Sequence, residues 1–182
     1  QRESLSFGTA HLFYPEAGED RCTFALLLEI DPVALVRGAG APLDQYVNDR
    51  PYVASSFLSV ALSRALGTAL GGRCAHRPGL AASNLPLEAR IVPLSCRGGA
   101  DVVHRLFEPL GYEVGVEPRA LDPVHPEWGP GCLHAVTLRA DCRLADLLTH
   151  LAVLVPVLDD AEHLPLAGFP GMRERTLRIS SA

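Results

Sequence analysis

Lysine is missing from this chain of 182 residues, and all 16 basic side chains are arginine. Together with many alanines, 16 glycines and 15 prolines, this marks codon bias in a GC-rich genome rather than a functional choice. A Walker phosphate loop is excluded, because it needs a lysine on the β- and γ-phosphates, and no G-x-G-x-x-G is present either. C-x-x-C is also missing. The five cysteines (Cys22, Cys74, Cys96, Cys132 and Cys142) are odd in number and scattered. That excludes a disulfide framework and a zinc knuckle and predicts small buried thiols. Long apolar runs are absent too. ALLLEI near residue 28 and HLAVLVPVL near residue 154 fall well short of the roughly 20 residues that cross a bilayer. No basic-then-apolar signal opens the chain. These absences predict a soluble, cytoplasmic protein without a membrane partner. Gln1, in place of a methionine, predicts a trimmed fragment.

The formal net charge is −5, and the arginines are spread evenly. Phosphate neutralisation supplies most of the affinity of free-standing nucleic-acid binders, so strong autonomous RNA or DNA binding is disfavoured. An apolar fraction of 48% and a charged fraction of 20% predict a packed core. The length suits one ordinary domain or two small ones.

Residues 5–14 (LSFGTAHLFY) and 22–30 (CTFALLLEI) read as strands of a hairpin joined by PEAGED. DPVALVR then offers Asp31 as N-cap and Pro32 at the first helical position. A further helix is capped by Asp49, with Pro51 in its first turn. Val53, Phe57, Ala61, Leu62, Leu66 and Ala69 recur at helical spacing, and Gly71-Gly72 stops it. Ser55, Ser56, Ser59 and Ser63 lie among alanines, so another backbone can approach that helix closely. Residues 71–84 read as a linker. Beyond it come a strand (Leu87–Leu94), a helix (Gly99–Leu110), two strands (Tyr112–Glu117 and Leu133–Leu138) and a helix (Leu144–Leu158) bent or ended near Pro156. The order is β-α-β-β-α. The first half repeats its last three elements, which predicts an α/β (α+β) fold of two tandem β-α-β-β-α-like units. The sheets are mostly antiparallel and packed with helices, and the first unit is truncated at its amino terminus. The expected division is 1–70, a linker at 71–84, a second unit at 85–163 and an atypical tail at 164–182.

Chemistry-bearing residues are few. Asp159, Asp160, Glu162 and His163 resemble a metal site, but consecutive aspartates in a loop point apart and no second ligand group follows at helical spacing. A solvated helix end explains them, and the misplacement of acid against the helix dipole favours a contact role. Trp128, in the rigid loop LDPVHPEWGPG with His125, reads either as an exposed contact anchor or as a lid on its own sheet. Cys96 before Arg97-Gly98-Gly99 reads as a tight strand-to-helix turn; a lowered thiol pKa is the alternative. No G-x-S-x-G elbow occurs.

The densest stretch is LDQYVNDRPYVASSFLSVAL, residues 43–62. Asp49 caps, Asn48 suits a turn, and a tyrosine packs with its hydroxyl outward. Gln45, Tyr46, Arg50 and Tyr52 remain, a surface of the residue types enriched at protein interfaces. The expected partner surface is therefore Asp44, Gln45, Tyr46, Asn48, Asp49, Arg50 and Tyr52, with Trp128, Asp159 and Asp160 as additions.

This stretch, with PLEARIVPLSCRGG, RLFEPLGYEV, LDPVHPEWG, VTLRADCRLADLLTHL and VLVPVLDD in order, strongly resembles one family over about residues 5–163. It is similar to the amino-terminal half of the bacterial 3′-terminal RNA ribose 2′-O-methyltransferase, the HEN-type enzyme of bacterial RNA repair. The resemblance implies that S-adenosylmethionine and a divalent metal belong to a separate carboxy-terminal catalytic domain. Neither a methyl-donor loop nor a Glu-x-x-Glu-x-x-His-His motif occurs here, so no cofactor or catalytic residue is carried over. The implied partner is a bacterial polynucleotide kinase-phosphatase-ligase, bound in a hetero-oligomer and switched on for RNA ligation, with RNA met only through the complex. After Asp160 the chain departs from the family pattern, reading AEHLPLAGFPGMRERTLRISSA, which puts docking of a catalytic domain in doubt. Two other readings stay open: a metal-dependent enzyme acting on RNA ends through Asp159, Asp160 and His163, and a passive scaffold between methyltransferase and ligase.

Overall fold

The computed structural model describes residues 1–18, 21–31, 52–96, 98–120 and 130–159. Among these the chain is a mixed α/β protein with two three-stranded antiparallel sheets and four helices. It divides into two units, Gln1–Gly67 and Thr68–Ala182. No described helix is long and apolar enough to cross a membrane.

The first unit holds β1 (Arg2–Leu5), β2 (Gly8–Ala17) and β3 (Cys22–Ile30), neighbours in that order. Sequence reading missed β1, because four residues reading RESL carry too little apolar alternation to register as a strand. It also ended β2 early, at Pro15. The strand runs on to Ala17 because Pro15 falls where the register with β3 shifts, between Phe13 and Glu16, and proline is tolerated at such irregularities. Gly8 has φ +155, and a Cβ there would collide with the carbonyl oxygen of Glu29. The β2–β3 pairing is therefore written for glycine at that point. In α1 (Tyr52–Leu70), Phe57 stacks on Phe7 with ring centroids 4.0 Å apart and planes at 13°, and Ala61 and Leu62 are buried. The helix ends at the predicted glycine pair, with the Gly72 N–H donating to the Ala69 carbonyl. It is not straight: Leu66 leaves helical geometry (φ −120, ψ 21) just before Gly67. Glycine and a serine bonded back to its own helix are both known causes of bending, and Ser63 Oγ donates to the Ser59 carbonyl at 2.9 Å.

The second unit opens with a five-residue helix, α2 (Pro78–Ala82), inside the stretch read as a linker. There follow β4 (Leu85–Ser95), α3 (Ala100–Phe107) with a 3-10 turn at Glu108–Leu110, β5 (Glu113–Ala120), β6 (Pro130–Cys142) and α4 (Leu144–Asp159). β6 is central, antiparallel to both neighbours, in the order β4-β6-β5. β4 and β5 are thus parallel and joined across the sheet by α3, a split β-α-β. Gly111, at φ +89, closes the 3-10 turn in the left-handed region. Val103 and Phe107 of α3, Val136 and Leu138 of β6, and Val155 and Leu158 of α4 are the largest fully buried side chains. Pro156 lies within α4, which continues to Asp159.

The thiol expectation needs correction. Cys96 is buried and Cys142 half-buried, but Cys22 and Cys74 are exposed. Cys22 opens β3 and Cys74 lies in the turn before α2. Cys142 belongs to a polar group inside the core. The Tyr112 hydroxyl lies 2.8 Å from His150 Nδ1, both residues buried, with Phe107 edge-on to the tyrosine ring at 5.9 Å. Burial pushes the Tyr112 phenol and the Cys142 thiol up, and each feels the Asp146 carboxylate. Burial pushes His150 down, partly offset by Asp146. His150 Nε2 is buried without a protein partner. This group ties α4 to the start of β5.

Three outcomes follow for stability, measured by denaturant unfolding. Leu138→Ala costs about 2–5 kcal/mol as a core truncation, and Gly8→Ala costs about 1–3 kcal/mol through backbone strain and collision. Tyr112→Phe costs about 1–3 kcal/mol by orphaning the imidazole. Because the folded pKa of His150 lies below its unfolded value near 6.5, its contribution is complete above that pH and is lost as pH falls. The midpoint should drop on acidification below pH 6.5, and His150→Gln should flatten that part of the profile.

Candidate partner-docking surface

Most of the residues singled out for contact fall outside the described part of the chain: Asp44, Gln45, Tyr46, Asn48, Asp49, Arg50, Trp128 and Asp160. Two others are placed at element ends. Tyr52 is the first residue of α1, and Asp159 is the last of α4. The elements that carry them have clear physical causes. α1 is held on the first sheet by Phe57 against Phe7. α4 starts one residue after β6, where Arg143 donates from Nε and Nη2 to the two oxygens of Asp146, each at 2.8 Å. That bidentate pair lifts the Arg143 pKa, and Asp146 sits favourably in the first helical turn. Leu147, Leu148, Leu151, Leu154, Val155 and Leu158 are buried, so the helix packs along nearly its whole length. The stretch containing Trp128 is bracketed by Ala120 and Pro130, which face each other across the β5–β6 register.

The second unit presents an open sheet face opposite its helices. Strand alternation puts Val136 and Leu138 under the helices and turns Thr137 and Arg139 to the other face, where Ala135 is itself buried. Arg139 Nε reaches Glu88 Oε2 at 2.7 Å, and its Nη1 lies 3.7 Å from Glu113 Oε1, so one guanidinium on the central strand bridges carboxylates on both neighbours. The hydrogen bond and charge of Glu88 raise the Arg139 pKa. Two positions along, Arg90 on β4 reaches over the small Ala135 and Thr137 to Glu117 on β5 at 3.3 Å. A shallow groove at one end is lined by Pro86, Glu88, Glu113, Arg139 and Asp141. Sheet faces that read single-stranded RNA stack bases on aromatic rings. The described outward residues of this face are instead paired charges with small or aliphatic side chains. Its chemistry suits a flat protein contact better than bases and phosphates.

The first unit presents a different surface. Phe13, Tyr14 and Leu27 are exposed by 47%, 64% and 60% on β2 and β3, and no residue of β3 is buried. Tyr14 meets Phe24 edge-on at 5.5 Å. Sequence reading took these residues for ordinary strand positions. The available signal was that β3 reads Phe24-Ala25-Leu26-Leu27-Leu28, apolar on both faces, whereas a strand with one wet face alternates. Among the described residues no cluster of His, Cys, Asp and Glu is arranged to hold a metal ion. The alternative metal site at Asp159, Asp160 and His163 lies mainly outside those residues.

Comparison with known proteins finds a family model, described as the RNA repair, ligase-Pnkp-associating region of Hen1, matching residues 1–167. The match runs through both units and past Asp160. No curated protein matches the chain. The chain belongs to this ligase-Pnkp-associating family of RNA repair.

Proposed function

We propose that this membership is exercised by contact alone: the chain is a non-catalytic module that binds the Pnkp polynucleotide kinase-phosphatase-ligase and activates its RNA ligase. The family match over residues 1–167 carries the reading, because the family is defined by association with that ligase. Activation works as a population shift, in which the module binds the ligation-competent conformation more tightly than the idle one. A tenfold gain in activity needs about 1.4 kcal/mol of differential binding, a small part of what an ordinary interface provides.

The proposed contact surface is Asp44, Gln45, Tyr46, Asn48, Asp49, Arg50 and Tyr52, extended by Trp128, Asp159 and Asp160. Tyrosine, tryptophan and arginine supply rigid area and directed hydrogen bonds at interface centres. RNA is met through the ligase. A formal charge of −5 and an open sheet face of paired charges both favour that indirect route. No cofactor is needed, and methyl transfer belongs to a separate domain. The complex is a cytoplasmic hetero-oligomer.

The test mixes the purified chain with the partner ligase and nicked RNA. Sealing should rise at least tenfold and saturate at a fixed molar ratio, while Tyr46→Ala with Arg50→Ala should weaken activation by tenfold or more. Binding without any rise in sealing would instead favour a passive scaffold. Turnover of RNA ends by the chain alone with manganese, lost in Asp160→Ala, would favour the metal-dependent enzyme. In fluorescence anisotropy the chain alone should hold single-stranded RNA no tighter than micromolar, and nanomolar, salt-steep binding would contradict the indirect route.

A further inference from the structure

We propose that the open edge of β3 is a strand acceptor, filled in the protein by an antiparallel strand from the polypeptide leading into Gln1. The argument starts from hydrogen-bond parity. The Asp31 N–H donates to the Phe7 carbonyl at 2.9 Å. Backbone groups alternate sides along a strand, so Glu29, Leu27 and Ala25 turn theirs toward β2. Leu26, Leu28 and Ile30 turn their N–H and C=O groups to the other side, where no described strand pairs with them. The bonds exchanged by Gln1 and Leu12 give β2 the matching parity, its even-numbered residues facing β1.

Sheet edges are normally blunted by shortness, charge or proline. The other three edges here obey that rule. β1 has four residues, among them Arg2 and Glu3. β4 contains Pro86, Glu88, Arg90 and Pro93, and β5 contains Glu113, Glu117, Pro118 and Arg119. β3 has nine residues, no proline, and a single charge at Glu29. Its apolar residues lie on both faces, the pattern of a strand buried in the middle of a sheet. Yet none of them is buried, and Leu27 is 60% exposed.

The second unit shows how a hairpin of the same sense is completed. The β5–β6 hairpin matches β2–β3 in sense, and each has a register shift near its turn, at Pro118/Ala120 and at Phe13/Glu16. β6 is paired on its other side by β4, which precedes the hairpin in the chain and arrives through α3. By the same plan the strand beside β3 precedes β1 and β2, runs antiparallel to β3, and carries apolar side chains toward both faces. The first unit then repeats the β-α-β-β-α order of the second with β1 as one additional strand at the far edge of its sheet, and the helix that follows the donor strand supplies cover for exposed apolar residues of its sheet.

Amide hydrogen exchange tests this on two proteins: the present chain, and the product of the same gene extended upstream of Gln1. In the present chain the amides of Leu26, Leu28 and Ile30 should exchange at least tenfold faster than those of Leu27 and Glu29. In the extended protein they should slow by tenfold or more. Leu28→Pro removes an outward N–H and spares the bonds to β2, so it should lower the melting point of the extended protein more than that of the present chain. Equal protection of both sets in a monomeric present chain would overturn the proposal, because the chain's own residues would then cover the edge. So would protection accompanied by a dimeric mass in light scattering, which assigns the edge to a second copy. An extension that leaves exchange unchanged would overturn it as well.

Discussion

A β-strand has two rows of backbone donors and acceptors, and each row needs partners or water. A strand apolar on both faces cannot leave either row wet without also exposing its side chains. β6, apolar on one face and polar on the other, meets the backbone requirement in full. Its two rows are taken by β4 and β5, and the helices over one face bury Val136 and Leu138 completely. The other elements of the second unit take their places from that strand: α3 carries the chain from β4 across to β5, and α4 turns back directly after Cys142. β3 carries a similar demand in its sequence with one row met, and the first unit is correspondingly thin, with Phe7, Ala10, Ala61 and Leu62 as its buried apolar residues among those described.

The two units also handle polarity differently. In the second, arginines meet carboxylates across strands on the open face and at the start of α4, and a compact polar group is enclosed beneath the helices. Enclosing Tyr112 and His150 costs desolvation, shown by the displacement of both pKa values away from their charged forms. Their mutual bond offsets part of that cost and orients two elements that aliphatic packing alone would leave free to slide. In the first unit, charge lies near strand ends, as where Glu16 receives Thr23 and Arg21.

Much of this architecture could be read from the residues. The order β-α-β-β-α is carried by apolar periodicity that switches between two and 3.6, and by Gly111 and Gly71-Gly72 as stops. Strand lengths were underestimated. Hydrogen bonding continues through Pro86, Pro130 and Asp141, where side chains give no apolar signal. β1 and α2 were missed because four- and five-residue elements lie below the window in which periodicity can be counted. The Tyr112–His150–Cys142 group was not legible either, since it joins residues 38 positions apart whose proximity only the fold creates. The expected contact residues stand out only by type and crowding, and Tyr52 and Asp159 are the two that the described elements contain.

The rungs on the open face of the second unit have a kinetic corollary. Arg139 lies between Glu88 and Glu113, and Arg90 answers Glu117, so two guanidiniums cancel most of the field of three carboxylates within a few ångströms. A protein landing there is not pulled in from a distance. Its association would proceed at the ordinary orientation-limited pace of roughly 10⁵–10⁶ per molar per second, nearly indifferent to added salt. Selectivity on that face then lies in how long a visitor stays rather than in how quickly it arrives.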